Sequence, residues 1–342
     1  MPGVFGVLGY PLAQSLSPYL HARAFAEASL RDTYTAWEIA PENLAAFMQR
    51  FRETPYSGAS VTIPYKEAVI PFVDAITDDA KTIGAVNTLY RDGGKILGHN
   101  TDMEGFIAPL AVYGDARQTV IGQTVIGQTS IGRAAVLGAG GAARAVIAGL
   151  ARLGVGEIAL FARNREKAKR LAHEFAPKFT RFTTPAWEKR EHVIAEAGAS
   201  TAAINSNGVL LVVNTTPLGM RGKAEGLSPL AAEAFATPGA TPGATPGATP
   251  GASRNIAYDI VYNPLETAFL AAARAAGWQI VDGLAMFVGQ AAAQFRLWTG
   301  REMNVDFARE LLAAKLAPNE APGEAPGEAP GETPIATPGE TA

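Results

Sequence analysis

Two stretches of this sequence carry residue types suited to chemistry on a small molecule. In the first, Ser60-Val61-Thr62-Ile63-Pro64-Tyr65-Lys66 reads as a strand that ends in a proline turn bearing one lysine. A lysine in such a turn is ordinarily exposed and inert. Held in a cleft, it would be suited to proton transfer, because desolvation disfavours the ammonium form. Ser15 and Ser17 lie two apart in Ser15-Leu16-Ser17-Pro18. Ser17 reads as an N-cap with proline in the first helical position, which leaves Ser15 free. Two hydroxyls in one loop also suit a polyol or its carboxylate. Asn87 in Gly84-Ala85-Val86-Asn87-Thr88 and Asp102 in Gly98-His99-Asn100-Thr101-Asp102 sit beside strand or turn ends. Taken separately, each is an ordinary turn-former. One pocket collects all of these groups only if their loops share a sheet edge, which parallel α/β topology tends to provide.

In the second stretch, Val136-Leu137-Gly138-Ala139-Gly140-Gly141-Ala142-Ala143-Arg144 joins a predicted strand to a predicted helix, the context a dinucleotide fingerprint requires. Gly138, Ala139, Gly140, Gly141 and Ala142 would form the tight turn that brings backbone amides and a helix N-terminus to a pyrophosphate. The third glycine position is taken by Ala142, a permitted variant. At the end of the next strand, where NAD enzymes carry an acid, Phe161-Ala162-Arg163-Asn164 stands instead. Arg163, with Lys167 one turn further on, can clamp a 2′-phosphate, so NADP is the expected cofactor. By itself the run Arg163, Arg165, Lys167, Lys169, Arg170 would be a solvated helix face. Its position just after the second strand of the unit favours the functional reading.

The elements that must position these groups alternate between strand and helix, the mark of parallel α/β architecture. Strands are predicted at residues 4–8, 33–38 and 58–62, with helices at 18–28 and 41–51 and another starting near residue 65. A second unit begins with a strand over 133–137 and a helix to about residue 153. Strands at 157–161, 209–213, 256–260 and 278–281 follow, with a helix at 166–175 and last helices at 286–298 and 306–315. Three repetitive segments interrupt the pattern: QTVIG-type units over 118–132, ATPG units within 236–251 and APGE-type units within 317–342. Proline and glycine tetrapeptides cannot hold a helix or a central strand. A flexible surface loop over 236–251 and a disordered tail over 317–342 are therefore expected. The pentapeptides are β-prone, which suits a short exposed hairpin or an added edge strand.

The 342 residues are enough for two domains. With no cysteine, disulfides, thiolate metal sites and cysteine nucleophiles are excluded. None of the four histidines has the three- or four-residue spacing of a helical metal pair, so no metal is expected. A net charge of −3 without a basic block argues against nucleic acid, and no apolar run approaches the roughly 20 residues that cross a bilayer. Without a secretory signal pattern, a cytoplasmic monomer or homodimer acting on a small molecule is expected.

Taken together, residues 15–18, 61–66, 84–88, 100–102, 138–142, 214–220, 259–264 and 282–290 resemble, in order and spacing, eight motifs of the shikimate dehydrogenases. These are SxSP, VTxPxK, GAVNT, NTD, GAGGA, NATPxGM, DxxYxP and DGxxMxxxQ. The likeness runs from about residue 4 to 316 outside the repeats. It implies NADP-dependent reduction of 3-dehydroshikimate to shikimate in aromatic amino-acid biosynthesis, with Lys66 and Asp102 as the catalytic pair. It implies shikimate contacts from Ser15, Ser17, Thr62, Asn87 and Gln290, and a tyrosine, Tyr262, closing over the substrate. On the cofactor side it places Met220 and Gly283 near the nicotinamide and Asn164 beside Arg163. It further implies a discontinuous substrate domain, 1–105 with 283–316, around a Rossmann-type NADP domain, 106–282. The chain departs from the pattern at Ser60, where the family often has asparagine, and at Ala162, where the family has another asparagine. The rivals are a quinate/shikimate dehydrogenase preferring NAD, which Arg163 disfavours, and a nucleotide-sensing regulator, which would have no use for the Lys66 and Asp102 pair.

Overall fold

A computed structural model describes residues 2–13, 15–113, 119–120, 123–124, 130–203, 208–236 and 255–317. Two six-stranded sheets organise them. The first half runs β1 (Val4–Gly9), α1 (Ser17–Glu27), β2 (Thr33–Glu38), α2 (Leu44–Glu53), β3 (Tyr56–Val61), β4 (Ala75–Ile76), α3 (Asp78–Ile83), β5 (Thr88–Asp92), β6 (Lys95–His99) and α4 (Asp102–Ile107). Its sheet order is β2-β1-β3-β5-β6-β4. The strands β1, β2 and β3 are parallel, whereas β5 runs antiparallel to both β3 and β6. This sheet is therefore mixed, not the parallel one expected. The cause is legible at Asp92-Gly93-Gly94-Lys95, where two consecutive glycines adopt positive φ and close a tight hairpin between β5 and β6. No α-helix starts near residue 65. The chain after Tyr65 forms turns and a short 3-10 helix, Ile70–Phe72, and Pro71 within it lacks the amide a longer helix would need.

The second half continues with β7 (Thr119–Val120), β8 (Gln123–Thr124), β9 (Ser130–Leu137), α5 (Gly141–Arg152), β10 (Glu157–Phe161), α6 (Arg165–Phe175), β11 (Arg181–Thr183), α7 (Arg190–Ala203), β12 (Gly208–Asn214), β13 (Ile256–Asp259), α8 (Ala268–Ala275) and β14 (Gln279–Val281). Its sheet is parallel throughout, in the order β11-β10-β9-β12-β13-β14. That is the doubly wound order whose reversal point lies between β9 and β12. The strands are buried on both faces, which explains their continuous apolar runs, such as Leu210-Leu211-Val212-Val213. The repeats at 118–132 contribute the β7–β8 antiparallel pair, and their last three residues enter the central strand β9. The expected loop over 236–251 and tail over 317–342 lie outside the described residues apart from Ala236 and Ala317.

Two helices, α9 (Gly283–Thr299) and α10 (Val305–Leu316), follow the second sheet and return to the first. Leu284, Val288, Phe295 and Leu312 join one buried cluster with Phe5, Val7, Leu20 and Phe25. Asp282 caps α9 by accepting from the amide of Ala285 at 2.9 Å. The approach of α4 to α9 is set by glycine: a Cβ on Gly105 would lie 2.7 Å from the Gln290 amide nitrogen. Gly105 therefore lets α4 lie backbone to backbone on α9, with Asp102 at its first residue brought to the glutamine-bearing face of the longer helix.

Candidate active site

The mixed sheet explains how distant residues reach one place. Because β5 runs antiparallel to β3, Thr88 at its start pairs with Ser60 near the end of β3, and His99 at the end of β6 pairs with Thr88. Asn87, Lys66 and Asp102 thus emerge at one sheet edge. An all-parallel sheet would have sent the start of β5 to the opposite edge. Lys66 Nζ donates to Asp102 Oδ2 at 2.5 Å, with the two side chains 27% and 12% exposed. The other carboxylate oxygen, Oδ1, accepts from Asn87 Nδ2 at 2.9 Å. Asn87 is itself held, its Oδ1 accepting from the Thr101 amide at 2.8 Å. A charge-assisted pair on a rigid sheet edge is preorganised for proton transfer to a group beside the amine.

A cleft of about 560 Å³ opens over this edge. The structure brings Ser15, Ser17, Thr62, Lys66, Asn87 and Asp102 to its walls, and Met220, Tyr262, Gly283 and Gln290 face them. The expectation for Ser17 needs correction. The helix begins at Ser17 itself, Leu16 takes the cap position, and the Ser17 side chain makes no capping bond. Its hydroxyl is left to the cleft and to Tyr34, whose phenol burial pushes up against hydrogen bonds with Ser60 and Ser17. Tyr262 packs on Phe287 with ring centroids 4.9 Å apart, and burial raises its phenol as well. Gln290 donates to the Phe287 carbonyl at 2.9 Å.

A second crevice, of about 860 Å³, lies beyond the ends of β9 and β12 at the reversal point. Gly138, Ala139, Gly140, Arg163, Asn164 and Lys167 line it, while Gly141 and Ala142 open helix α5. Gly138 has φ +111°, and a Cβ there would lie 2.6 Å from Thr215 Oγ1. Around Gly140 and Gly141 an added Cβ would meet nothing within 4 Å, and no side chain caps α5. This open helix N-terminus, with exposed Arg163 after β10 and exposed Lys167 in the first turn of α6, fits a dinucleotide carrying a 2′-phosphate. Asn164 also has a structural task, since its side chain caps α6 by accepting from the Lys167 amide at 2.9 Å. Trp187, Thr215 and Thr216 line the crevice too and were not anticipated. Thr215 and Thr216 had a signal, lying within the 214–220 motif just past the expected strand at 209–213. Trp187, outside any motif, had none.

Two buried titratable groups stand behind the cleft and crevice. The His21 imidazole is stacked on Tyr34, with centroids 4.6 Å apart, and neither ring nitrogen has a hydrogen-bond partner at full geometry. Burial drives it down to about 3, against a smaller upward pull from Gln294. Asp259, at the end of β13, accepts from Asn214 Nδ2, the Val261 amide and the Thr267 hydroxyl at 2.9, 3.0 and 2.6 Å. Burial pushes it up to about 7, with those three donors opposing. It ties the end of β12 to the loop that carries Tyr262.

Residues 7–89 match the shikimate dehydrogenase substrate binding domain, and residues 283–312 match the shikimate 5′-dehydrogenase C-terminal domain. The chain is 42% identical over 314 residues to the shikimate dehydrogenase (NADP(+)) of Oleidesulfovibrio alaskensis, covering 92% of this chain and 96% of that protein. The chain belongs to the shikimate dehydrogenase family. Among solved structures, the shikimate 5-dehydrogenase of Thermus thermophilus in complex with NADP(H) and shikimate superposes with a TM-score of 0.69 at 32% identity, covering 92% of this chain and 99% of that one. A quinate dehydrogenase from Corynebacterium glutamicum in complex with NAD gives 0.73 at 26% identity, with 92% and 99% covered. The two shikimate dehydrogenase matches cover stretches that the structure packs together across 193 intervening residues, 90–282, which is the returning-helix arrangement described above.

Proposed function

We propose that this chain catalyses the reversible, NADP-dependent reduction of 3-dehydroshikimate to shikimate, a step of aromatic amino-acid biosynthesis. The observation that carries the reading is the 2.5 Å Lys66–Asp102 pair on the wall of a cleft that also presents Ser15, Ser17 and Thr62 hydroxyls. Its relatives' names supply the substrate and cofactor. When bound, NADP supplies or accepts the hydride. Lys66 delivers the proton to the oxygen forming at C3 and takes it back in the reverse direction. Asp102 holds the amine in line with the substrate hydroxyl, and Asn87 holds Asp102. Ser15 and Ser17 take the carboxylate end, Thr62, Asn87 and Gln290 take ring hydroxyls, and Tyr262 closes over them. Gly138 to Ala142 cradle the pyrophosphate, Arg163 with Lys167 and Asn164 takes the 2′-phosphate side, and Met220 and Gly283 flank the nicotinamide. On this reading residues 1–105 with 283–316 form the substrate domain and 106–282 the nucleotide domain, in a cytoplasmic monomer or homodimer.

The test is a spectrophotometric assay of shikimate and quinate against NADP and NAD. Shikimate with NADP should be the fastest combination. Quinate with NAD exceeding it would replace this function with that of a quinate dehydrogenase.

A further inference from the structure

Behind the Lys66–Asp102 pair lies a row of side chains, three of which, Tyr34, Ser60 and Gln294, fall outside every motif. Tyr34 OH donates to Ser60 Oγ at 2.7 Å, and Ser60 Oγ donates to Gln294 Oε1 at 2.7 Å. Gln294 Nε2 donates to Thr88 Oγ1 at 3.0 Å, and Thr88 Oγ1 donates to Asn87 Oδ1 at 2.7 Å. Asn87 Nδ2 then donates to Asp102 Oδ1. Each of Tyr34, Ser60, Gln294, Thr88 and Asn87 is buried, with Gln294 only 1% exposed.

The direction of this row is set by two backbone groups. Gln294 Nε2 also faces the Asn87 carbonyl oxygen at 3.2 Å, which only an N–H can satisfy, so its oxygen must face Ser60. Asn87 Oδ1 receives the Thr101 amide, which only an oxygen can do, so its nitrogen must face Asp102. The hydroxyls of Ser60 and Thr88 then have one consistent orientation each, and every donor in the row points toward Asp102. Both amide hydrogens of Gln294 are used internally. It lines the cleft with no donor left for a substrate.

We infer that Gln294 is a positioning residue for the reaction, acting through Thr88 and Asn87 to fix the plane of the Asp102 carboxylate against Lys66. This rests on the reading of Lys66 and Asp102 as the reacting pair. Gln294→Met keeps the volume and removes the amide. It should lower kcat roughly 10- to 100-fold while leaving the shikimate KM within about threefold, because a misaligned pair costs turnover and not binding. Thr88→Val should do the same, and Thr88→Ser, which keeps the hydroxyl, should restore most of the loss. The Gln294→Met, Thr88→Val double variant should be no slower than the worse single, as for two links of one chain. A loss confined to KM would make Gln294 a substrate contact, and an unchanged kcat with only a lower melting temperature would make it packing. Either overturns the inference. If Gln294→Met does not fold, equal turnover in Thr88→Val and Thr88→Ser overturns it. Lys66→Ala, run alongside, separates the two readings: full turnover there defeats the catalytic pair itself, whatever the Gln294 variants do.

Discussion

The cleft over the first sheet and the crevice over the second are built by opposite means. Around the cleft, the polar groups of Asn87, Thr88, Ser60 and Gln294 are buried and hydrogen-bonded to one another before any ligand arrives. Around the crevice, Gly140, Gly141, Arg163 and Lys167 stand in open space, with an uncapped helix N-terminus between them. A small polyol offers few atoms, so its positioning depends on a wall whose side chains are already immobilised. A dinucleotide offers charged phosphates that backbone amides and mobile cations can grip with less prior order. On the proposed reading, catalytic precision belongs to the mixed sheet and cofactor choice to the parallel one.

Substitutions that damage one crevice and spare the other would sharpen this contrast. The largest effect is expected from Lys66→Ala, which should cut kcat about 10²- to 10⁴-fold with little change in either KM, read from steady-state NADPH absorbance. An equal rise in the NADP KM would break the division of labour. Gly138→Val comes next. Its side chain would meet Thr215 in a backbone conformation at φ +111° that costs on the order of 1–3 kcal/mol for a non-glycine residue. Calorimetry should show a lower melting temperature and cofactor titration a loss of NADP binding. Arg163→Ala should weaken NADP by roughly 10-fold, from about 1.5 kcal/mol or more of charge-assisted hydrogen bonding, while leaving NAD and shikimate unchanged. An equal loss for NAD would remove Arg163 from the 2′-phosphate.

In the unaltered chain the smallest effects are in pH dependence, because there the two halves have opposite sign. His21 falls from an ordinary 6.5 to about 3 in the folded chain. Its contribution is complete above pH 6.5 and is lost as pH falls toward 3. Asp259 rises from 3.8 to about 7, so its contribution is complete below pH 3.8 and is lost as pH rises toward 7. Over the shared window the two slopes offset. His21→Leu should make stability fall with rising pH between about 4 and 6.5, and Asp259→Asn should make it rise, as measured by urea midpoints. Parallel slopes in the two variants would contradict the assignment of one buried base and one buried acid.

The contrast extends to what could be read before folding. The second half was legible almost strand by strand, because a parallel sheet buried on both faces writes apolar runs, and the Gly138 turn must follow one of them. Lys66, Asp102, Asn87 and Arg163 were nominated from local patterns and from the resemblance of ordered motifs, and the structure puts the first three at the cleft and Arg163 at the crevice. The antiparallel turn of β5 and β6 was missed, although Gly93-Gly94 signalled it, because strands of five residues with mixed polarity carry little periodicity. Tyr34, Ser60, Thr88 and Gln294 went unread as a group for a different reason. Polar side chains at ordinary positions in strands and a helix acquire a common direction only when residues up to 234 apart are packed together. By itself, then, the sequence determined most strands of the parallel sheet, the nucleotide turn and the candidate reactive groups, since these depend on local propensity and burial pattern. Only the tertiary structure decided which sheet edge those groups share and which way the hydrogen bonds behind them point, since both follow from strand direction and from backbone groups far away in the chain.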